Sequence, residues 1–197
     1  MRHSWVDGRL STVVPVDDRG LNYADGAFET LLCRDGNITC LSLHEARLSR
    51  ALLALKFEAP QLQAQQVFEE AGQCLLRVKH SGIARLTVTR GSGPRGYAPS
   101  RSATPRYILT ASAHPDHKSA PWRCGIATTK WQDQPQLAGL KLLARTEQVL
   151  AAQEAAAQGW DDVLMLDDQE RVMSASRGDI LLRKGKTILT PLLDRSG

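Results

Sequence analysis

The sequence lacks any long apolar run. Nothing in it approaches the roughly 20 consecutive apolar residues needed to span a bilayer, and the opening MRHSWVDGRLS has no apolar core to serve as a secretory signal. The expectation is a cytoplasmic protein with no membrane partner. Cysteines are few and scattered: Cys33, Cys40, Cys74 and Cys124 form no C-x-x-C pair, and no histidine stands at zinc-binding spacing from them. This argues against a disulfide framework or a metal site and leaves free thiols in a reducing compartment. Aromatic residues make up only 5 %, and the net charge of +4 is spread rather than blocked. Without a basic stripe interleaved with aromatics, that surplus suits a small anionic ligand better than a nucleic acid. There is no internal repeat and no low-complexity tract.

What is present is ordinary for a folded protein: 197 residues, 42 % apolar and 23 % charged, enough for one generous domain or two small ones. Asp7-Gly8 and Asp35-Gly36 sit between short apolar runs and predict tight hairpins, because both turn positions favour residues that accept positive φ. SLHEARLSRALLALKF predicts a helix with Leu48, Leu52 and Leu55 on one face and Ser42 as N-cap. Pro60 suits the first turn of a second helix running towards His80. GIARLTVTRG and PRYILTASA alternate like strands. CGIATTK reads as a strand, LAGLKLLARTEQVLAAQEAAAQG as an Ala-rich helix stopped by Gly159, and DVLMLDD, RVMSASRG and the hairpin DILLRKGKTILTP follow. Strands, helices and strands occur twice over. This predicts two α+β lobes, residues 1–113 and 122–197 with a linker at 114–121, rather than a doubly wound parallel sheet.

Three features could carry chemistry. Lys141, read as starting its helix after Gly139, would share a face with Arg145 and Gln148, while Leu142, Thr146, Val149 and Leu150 form the expected buried stripe. A neighbouring guanidinium and the positive helix end would favour the unprotonated amine, the form that attacks a carbonyl. A lysine merely solvated on a helix is the ordinary alternative. TRGSGPRGYAP, Thr89 to Pro99, follows a strand with three glycines and two prolines. It offers Arg95 and Tyr97 as a fork of N–H groups and a hydroxyl suited to a carboxylate. Its spacing is not that of a phosphate-binding G-x-x-x-x-G-K-[ST] loop, and a plain surface turn is the alternative. Arg47 and Arg50 could bind phosphate or simply flank the leucine stripe.

Together, DDRGLNYADGAFETL, LHEARL, RGSGPRGY and LAGLKLLARTEQVL resemble the fold-type-IV pyridoxal-phosphate enzymes over nearly the whole chain. The R-G-x-G-x-R-G-Y loop followed by L-A-G-x-K…E-Q-V-L resembles the aminodeoxychorismate lyases more than the branched-chain or D-amino-acid transaminases. The resemblance implies a two-lobed α+β subunit, usually a homodimer, that binds pyridoxal 5'-phosphate and converts aminodeoxychorismate to 4-aminobenzoate and pyruvate, a step towards folate. It implies Lys141 as the catalytic Schiff-base lysine and Arg47 as the phosphate-binding arginine. It places Arg145 near the cofactor ring, Ser174 under the pyridine nitrogen, and Arg95 with Tyr97 at the substrate carboxylates.

The chain departs from that pattern. Ser174 stands where the family usually has a glutamate, which weakens the expected electron sink. KLLAR replaces K-H-L-N-R, so Leu142 and Ala144 take the places of a histidine and an asparagine, and Asp179 stands for a common asparagine. The sequence ends at TPLLDRSG, where the family continues with a Gly-Val/Ile-x-Gly segment opening a helix and with further strands, so the second lobe is expected to be incomplete here. A non-catalytic relative that kept the fold is the alternative from another class.

Overall fold

The computed structural model describes residues 2–57, 64–100, 102–115, 120–132 and 134–192. Its contacts group the chain into two compact units. Residues 1–116 join 140–144 in the first, and 117–139 join 145–197 in the second.

The first unit is built on a six-stranded sheet ordered β2-β1-β6-β5-β3-β4. Its strands are β1 (His3–Val6), β2 (Arg9–Leu10), β3 (Gly26–Arg34), β4 (Asn37–Ile38), β5 (Gly82–Thr89) and β6 (Arg106–Ser112). The hairpins β1–β2 and β3–β4 turn where the sequence predicts, with positive φ at Asp7, Gly8, Asp35 and Gly36. Alternation along β3 sends Ala27, Glu29, Leu31 and Cys33 to one face, all of them buried. Leu86, Val88, Leu109 and Ala111 join them there, and helices α2 (Leu41–Ala54) and α3 (Ala64–Arg77) contribute Leu48, Leu52, Val67, Phe68, Ala71 and Leu75 to the same core. At about 1.5–3 kcal/mol per fully buried large side chain, this layer dominates the unit's stability. On the opposite face, Thr30 and Arg85 are exposed.

Local details differ from expectation at helix ends. The N-cap of α2 is Cys40, in the left-handed region and without a side-chain cap, and Ser42 lies inside the helix. Pro60 and residues 116–119 of the stretch read as a linker lie outside the described residues. The five-residue α1 (Arg19–Tyr23) is capped by Asp18, whose carboxylate accepts from Gly20 N–H.

The second unit holds a three-stranded sheet, β7 (Cys124–Ile126), β8 (Asp162–Leu166) and β9 (Val172–Ala175), with β7 parallel and β9 antiparallel to the central β8. Helix α4 (Thr146–Gln158) packs on it and ends at Gly159, at φ +65°. The hairpin β10 (Leu182–Lys184) to β11 (Thr187–Leu189) completes the described part. The helix is shorter than predicted and starts at Thr146. Its buried residues are Ala151 and Ala155, while Val149 and Leu150 are exposed. Among the described residues no helix is long and apolar enough to cross a membrane.

Candidate active site

Lys141 does not lie on a helix, so it shares no helical face with Arg145 and Gln148. Residues 141–143 instead run extended and antiparallel beside the start of β3. Phe28 N–H donates to the Lys141 carbonyl at 2.9 Å, Leu143 N–H donates to the Gly26 carbonyl at 3.1 Å, and Ala27 pairs with Leu142. Leu140 and Leu142 pack against the core of the first unit. In an extended chain the residue between them points the other way, and the Lys141 amine lies 4.8 Å from the centroid of the Phe28 ring. Helix propensity loses here because the extended course buries two leucines and adds backbone hydrogen bonds. Gly26 permits the approach, since a Cβ there would sit 2.2 Å from the Val88 carbonyl oxygen and 2.9 Å from Leu143 Cδ1.

Arg47 projects from α2 onto the next residue of the same strand. Its Nε donates to Glu29 Oε1 at 2.7 Å and its Nη2 to Oε2 at 2.5 Å, while His44 Nδ1 stands 2.8 Å from Oε2. The Glu29 carboxylate is fully buried, whereas the Arg47 side chain keeps 38 % exposure. A two-point fork of this kind fixes the plane of the guanidinium. Consecutive residues, Phe28 and Glu29, thus hold the Lys141 amine and the Arg47 guanidinium.

The glycine-rich loop after β5 turns at Gly91, φ +79°, where a Cβ would meet the Thr104 carbonyl oxygen at 2.0 Å. Arg95 and Tyr97 project into solvent, Tyr97 with 89 % exposure. Below them, Asp25 accepts from Arg19 Nε at 2.9 Å and from Arg90 Nε at 2.8 Å. Burial pushes the Asp25 pKa up, but hydrogen bonds from Arg90 and then Arg19 outweigh it and hold the carboxyl below its usual range. Asp25 directly precedes β3. The five residues Asp25 to Glu29 therefore tie down the loop's arginine partners, the lysine segment and the phosphate candidate.

The other candidates belong to the second unit. Ser174, on β9, donates its hydroxyl to the Gly178 carbonyl at 3.3 Å. Arg145 occupies the N-cap position of α4, its carbonyl accepting from Val149 N–H at 3.0 Å. No local sequence pattern assigns a role to Asp25, Phe28, Arg19 or Arg90. A signal existed for Glu29: an acidic residue on the apolar-facing register of AFETLLC needs a buried cationic partner. Among the described residues no group of three or more His, Cys, Asp and Glu side chains is placed to hold a metal.

The family model for amino-transferase class IV matches residues 26–197. The chain belongs to the class IV amino-transferase family. It is 31 % identical over 198 residues to an aminodeoxychorismate lyase from Vibrio harveyi, covering 98 % of this chain and 72 % of that protein. The crystal structure of 4-amino-4-deoxychorismate lyase from Pseudomonas aeruginosa superposes with a TM-score of 0.88 at 39 % identity, covering 98 % of this chain and 72 % of that one. The branched-chain amino acid aminotransferase of Escherichia coli shares the fold, with a TM-score of 0.84 at 18 % identity over 98 % of this chain and 68 % of that one. The fold is the mixed α+β fold type IV expected from the sequence. Class IV members are pyridoxal-phosphate-dependent, and solved neighbours include forms bound to that cofactor. The chemistry of the donor set fits the group. Its aldehyde needs a primary amine and its phosphate needs a cation, and Lys141 and Arg47 are one of each.

Proposed function

We propose that the protein is an aminodeoxychorismate lyase, releasing pyruvate and 4-aminobenzoate on the way to folate, and that it works in the cytoplasm as a homodimer. The observation that carries this reading is that one stretch, Asp25–Glu29, holds the loop's arginine partners, the Lys141 segment and Arg47, in a chain up to 39 % identical to an enzyme of that name.

In this reading Lys141 Nζ would hold the cofactor aldehyde and Arg47 its phosphate, with Glu29 setting the guanidinium plane. When bound, pyridoxal phosphate supplies a conjugated ring that takes up the electron pair released at the substrate's amine-bearing carbon. Ser174 would hydrogen-bond the pyridine nitrogen and Arg145 would help hold the ring. Lys141 Nζ would take the proton from the substrate's amine-bearing carbon. Arg95 and Tyr97 hold the substrate carboxylates, a fork and a hydroxyl on one loop. A tethered amine moving a proton in this way contributes on the order of a hundred- to ten-thousand-fold.

A transaminase of the same fold is the second reading, and Ser174 speaks against it. A serine cannot keep the ring nitrogen protonated as a carboxylate does, and amino transfer depends more on a stabilised carbanion than an elimination driven by aromatisation. The test is to supply pyridoxal phosphate with aminodeoxychorismate, and separately with D-alanine or leucine as amino donor. Release of pyruvate and 4-aminobenzoate supports the lyase. Amino transfer without that release supports the transaminase, and neither, with no bound cofactor, leaves a non-catalytic relative of the fold. Ser174→Glu should raise half-transamination relative to elimination; a variant no better at transamination counts against the argument from serine.

A further inference from the structure

Two segments distant in sequence, 17–23 and 90–97, are joined at many points, and Arg19 is at their centre. Its side chain is 2 % exposed, and each nitrogen of its guanidinium has its own acceptor. Nε donates to Asp25, Nη1 to the Gly96 carbonyl at 2.8 Å and Nη2 to the Tyr97 carbonyl at 2.6 Å. The Tyr23 ring lies 4.7 Å from the Arg19 Cζ, and its hydroxyl accepts from Gly96 N–H at 2.9 Å. Gly93 passes so close that a Cβ there would be 3.0 Å from Arg19 Cδ, and Arg19 N–H donates to the Gly91 carbonyl at 2.8 Å. Arg19 has a fixed base as well. The neighbouring Asp18 is fully buried and accepts from Thr89 Oγ1 at 3.0 Å and from Arg106 Nη1 at 2.6 Å.

A buried guanidinium spanning two successive carbonyls fixes the peptide planes on both sides of Tyr97's Cα, while the Tyr97 and Arg95 side chains stay in solvent. The backbone is anchored and the side chains are presented. We infer that Arg19 is a positioning residue: it sets the backbone of the 91–97 loop so that Arg95 and Tyr97 meet a carboxylate-bearing substrate. The inference rests on the lyase reading for the identity of that substrate, and on the hydrogen bonds alone for the anchoring. The geometry calls for arginine, because one ammonium can keep Asp25 but cannot also span two carbonyls.

The test is site-resolved trypsin digestion of the folded full chain at the Arg95–Gly96 bond, with cleavage after Arg77 and Arg123 as internal reference. A protease needs the loop to open locally, so Arg19→Gln should raise the cleavage rate there about tenfold. Arg19→Lys should fall between Arg19→Gln and the wild type. Tyr23→Phe, which deletes only the hydroxyl that accepts from Gly96, should raise the rate a few-fold. In turnover, Arg19→Lys should raise KM for aminodeoxychorismate about tenfold with kcat within about threefold and cofactor affinity unchanged. Cleavage within about twofold of wild type in the folded variants overturns the anchoring. If Arg19→Gln fails to fold, Arg19→Lys and Tyr23→Phe decide the matter on the same criterion. Faster cleavage with an unchanged KM in an active enzyme overturns the positioning role. A wild-type chain that binds cofactor but shows no lyase turnover sinks the functional reading instead, and cleavage alone then decides the anchoring.

Discussion

Arg47 grips Glu29 at two points, Nε on Oε1 at 2.7 Å and Nη2 on Oε2 at 2.5 Å, with the carboxylate fully buried and the guanidinium still partly open to solvent. A cation held in one plane by a buried anion is oriented before any ligand arrives. Replacing the anion with a neutral isostere leaves the shape and removes the charge that sets that plane. Glu29→Gln is therefore expected to cost about 1–3 kcal/mol, below the roughly 3–5 kcal/mol for breaking a fully buried pair because Arg47 can turn to water. Pyridoxal-phosphate affinity should fall about tenfold, since the phosphate contact is no longer preset. Urea unfolding and a fluorescence titration with the cofactor measure the two effects. Loss of stability with unchanged cofactor affinity would separate Glu29 from the site.

Asp25 makes the acid limb of stability testable. Its folded-state pKa lies below the ordinary value, because the hydrogen bonds from Arg90 and Arg19 outweigh the opposing effect of burial. A depressed carboxylate binds fewer protons folded than unfolded, so its contribution is fully present above the unfolded pKa of about 4 and is lost as pH falls through the folded one. Urea midpoints measured from pH 6 to pH 3 should fall more steeply in wild type than in Asp25→Asn, which starts lower and has less to lose. Parallel profiles would contradict the assignment.

Gly26 is the point where the lysine segment meets β3. A methyl group placed there would lie 2.2 Å from the Val88 carbonyl oxygen and 2.9 Å from Leu143 Cδ1. Backbone cannot yield cheaply, so Gly26→Ala should destabilise by about 2–4 kcal/mol. It should also weaken covalent capture of the cofactor, because Leu143 and the Lys141 backbone are displaced together. Thermal unfolding and borohydride labelling at matched temperature check both, and a fully labelled, equally stable variant is the contrary result.

In the second unit Glu154 accepts from Thr129 Oγ1 and from the N–H groups of Thr128 and Thr129. The Thr129 hydroxyl first, then, against the opposing effect of burial, those backbone donors hold its pKa down to about 2. This stabilisation is fully present above the unfolded pKa of about 4 and is lost as pH falls from there through the folded one of about 2. Thr129→Val removes the strongest donor and should bring the carboxyl back towards its ordinary range, read by NMR titration of the Glu154 side chain.

Much of the fold was legible in the sequence, for local reasons. Asp7-Gly8 and Asp35-Gly36 announce their hairpins because positive φ is written into those residue pairs, and Gly159 ends α4 for the same reason. The course of Lys141 was not legible from propensity. LLARTEQVLAAQEAAAQ reads as one helix, yet pairing with Gly26–Phe28, more than a hundred residues earlier, pulls its first residues into extended chain. The leucine–lysine–leucine alternation at 140–142 was the available clue, a period of two inside a helical neighbourhood. Lys141 and Arg47 could be named through the family resemblance. That Phe28 and Glu29 hold them, and that Arg19 reaches the carbonyls of Gly96 and Tyr97, depends on strand register and long-range packing that no local pattern encodes.

The proposed chemistry turns on one amine seated over Phe28. The direct measurement is borohydride reduction of the protein with pyridoxal phosphate, followed by peptide mapping, in wild type and in Lys141→Ala. The expected result is a phosphopyridoxyl label on the peptide containing Lys141, absent from the variant, with pyruvate release falling at least a thousandfold, on the order of what a tethered base and nucleophile supply. A label on a different lysine, or unchanged product formation after the substitution, would contradict it.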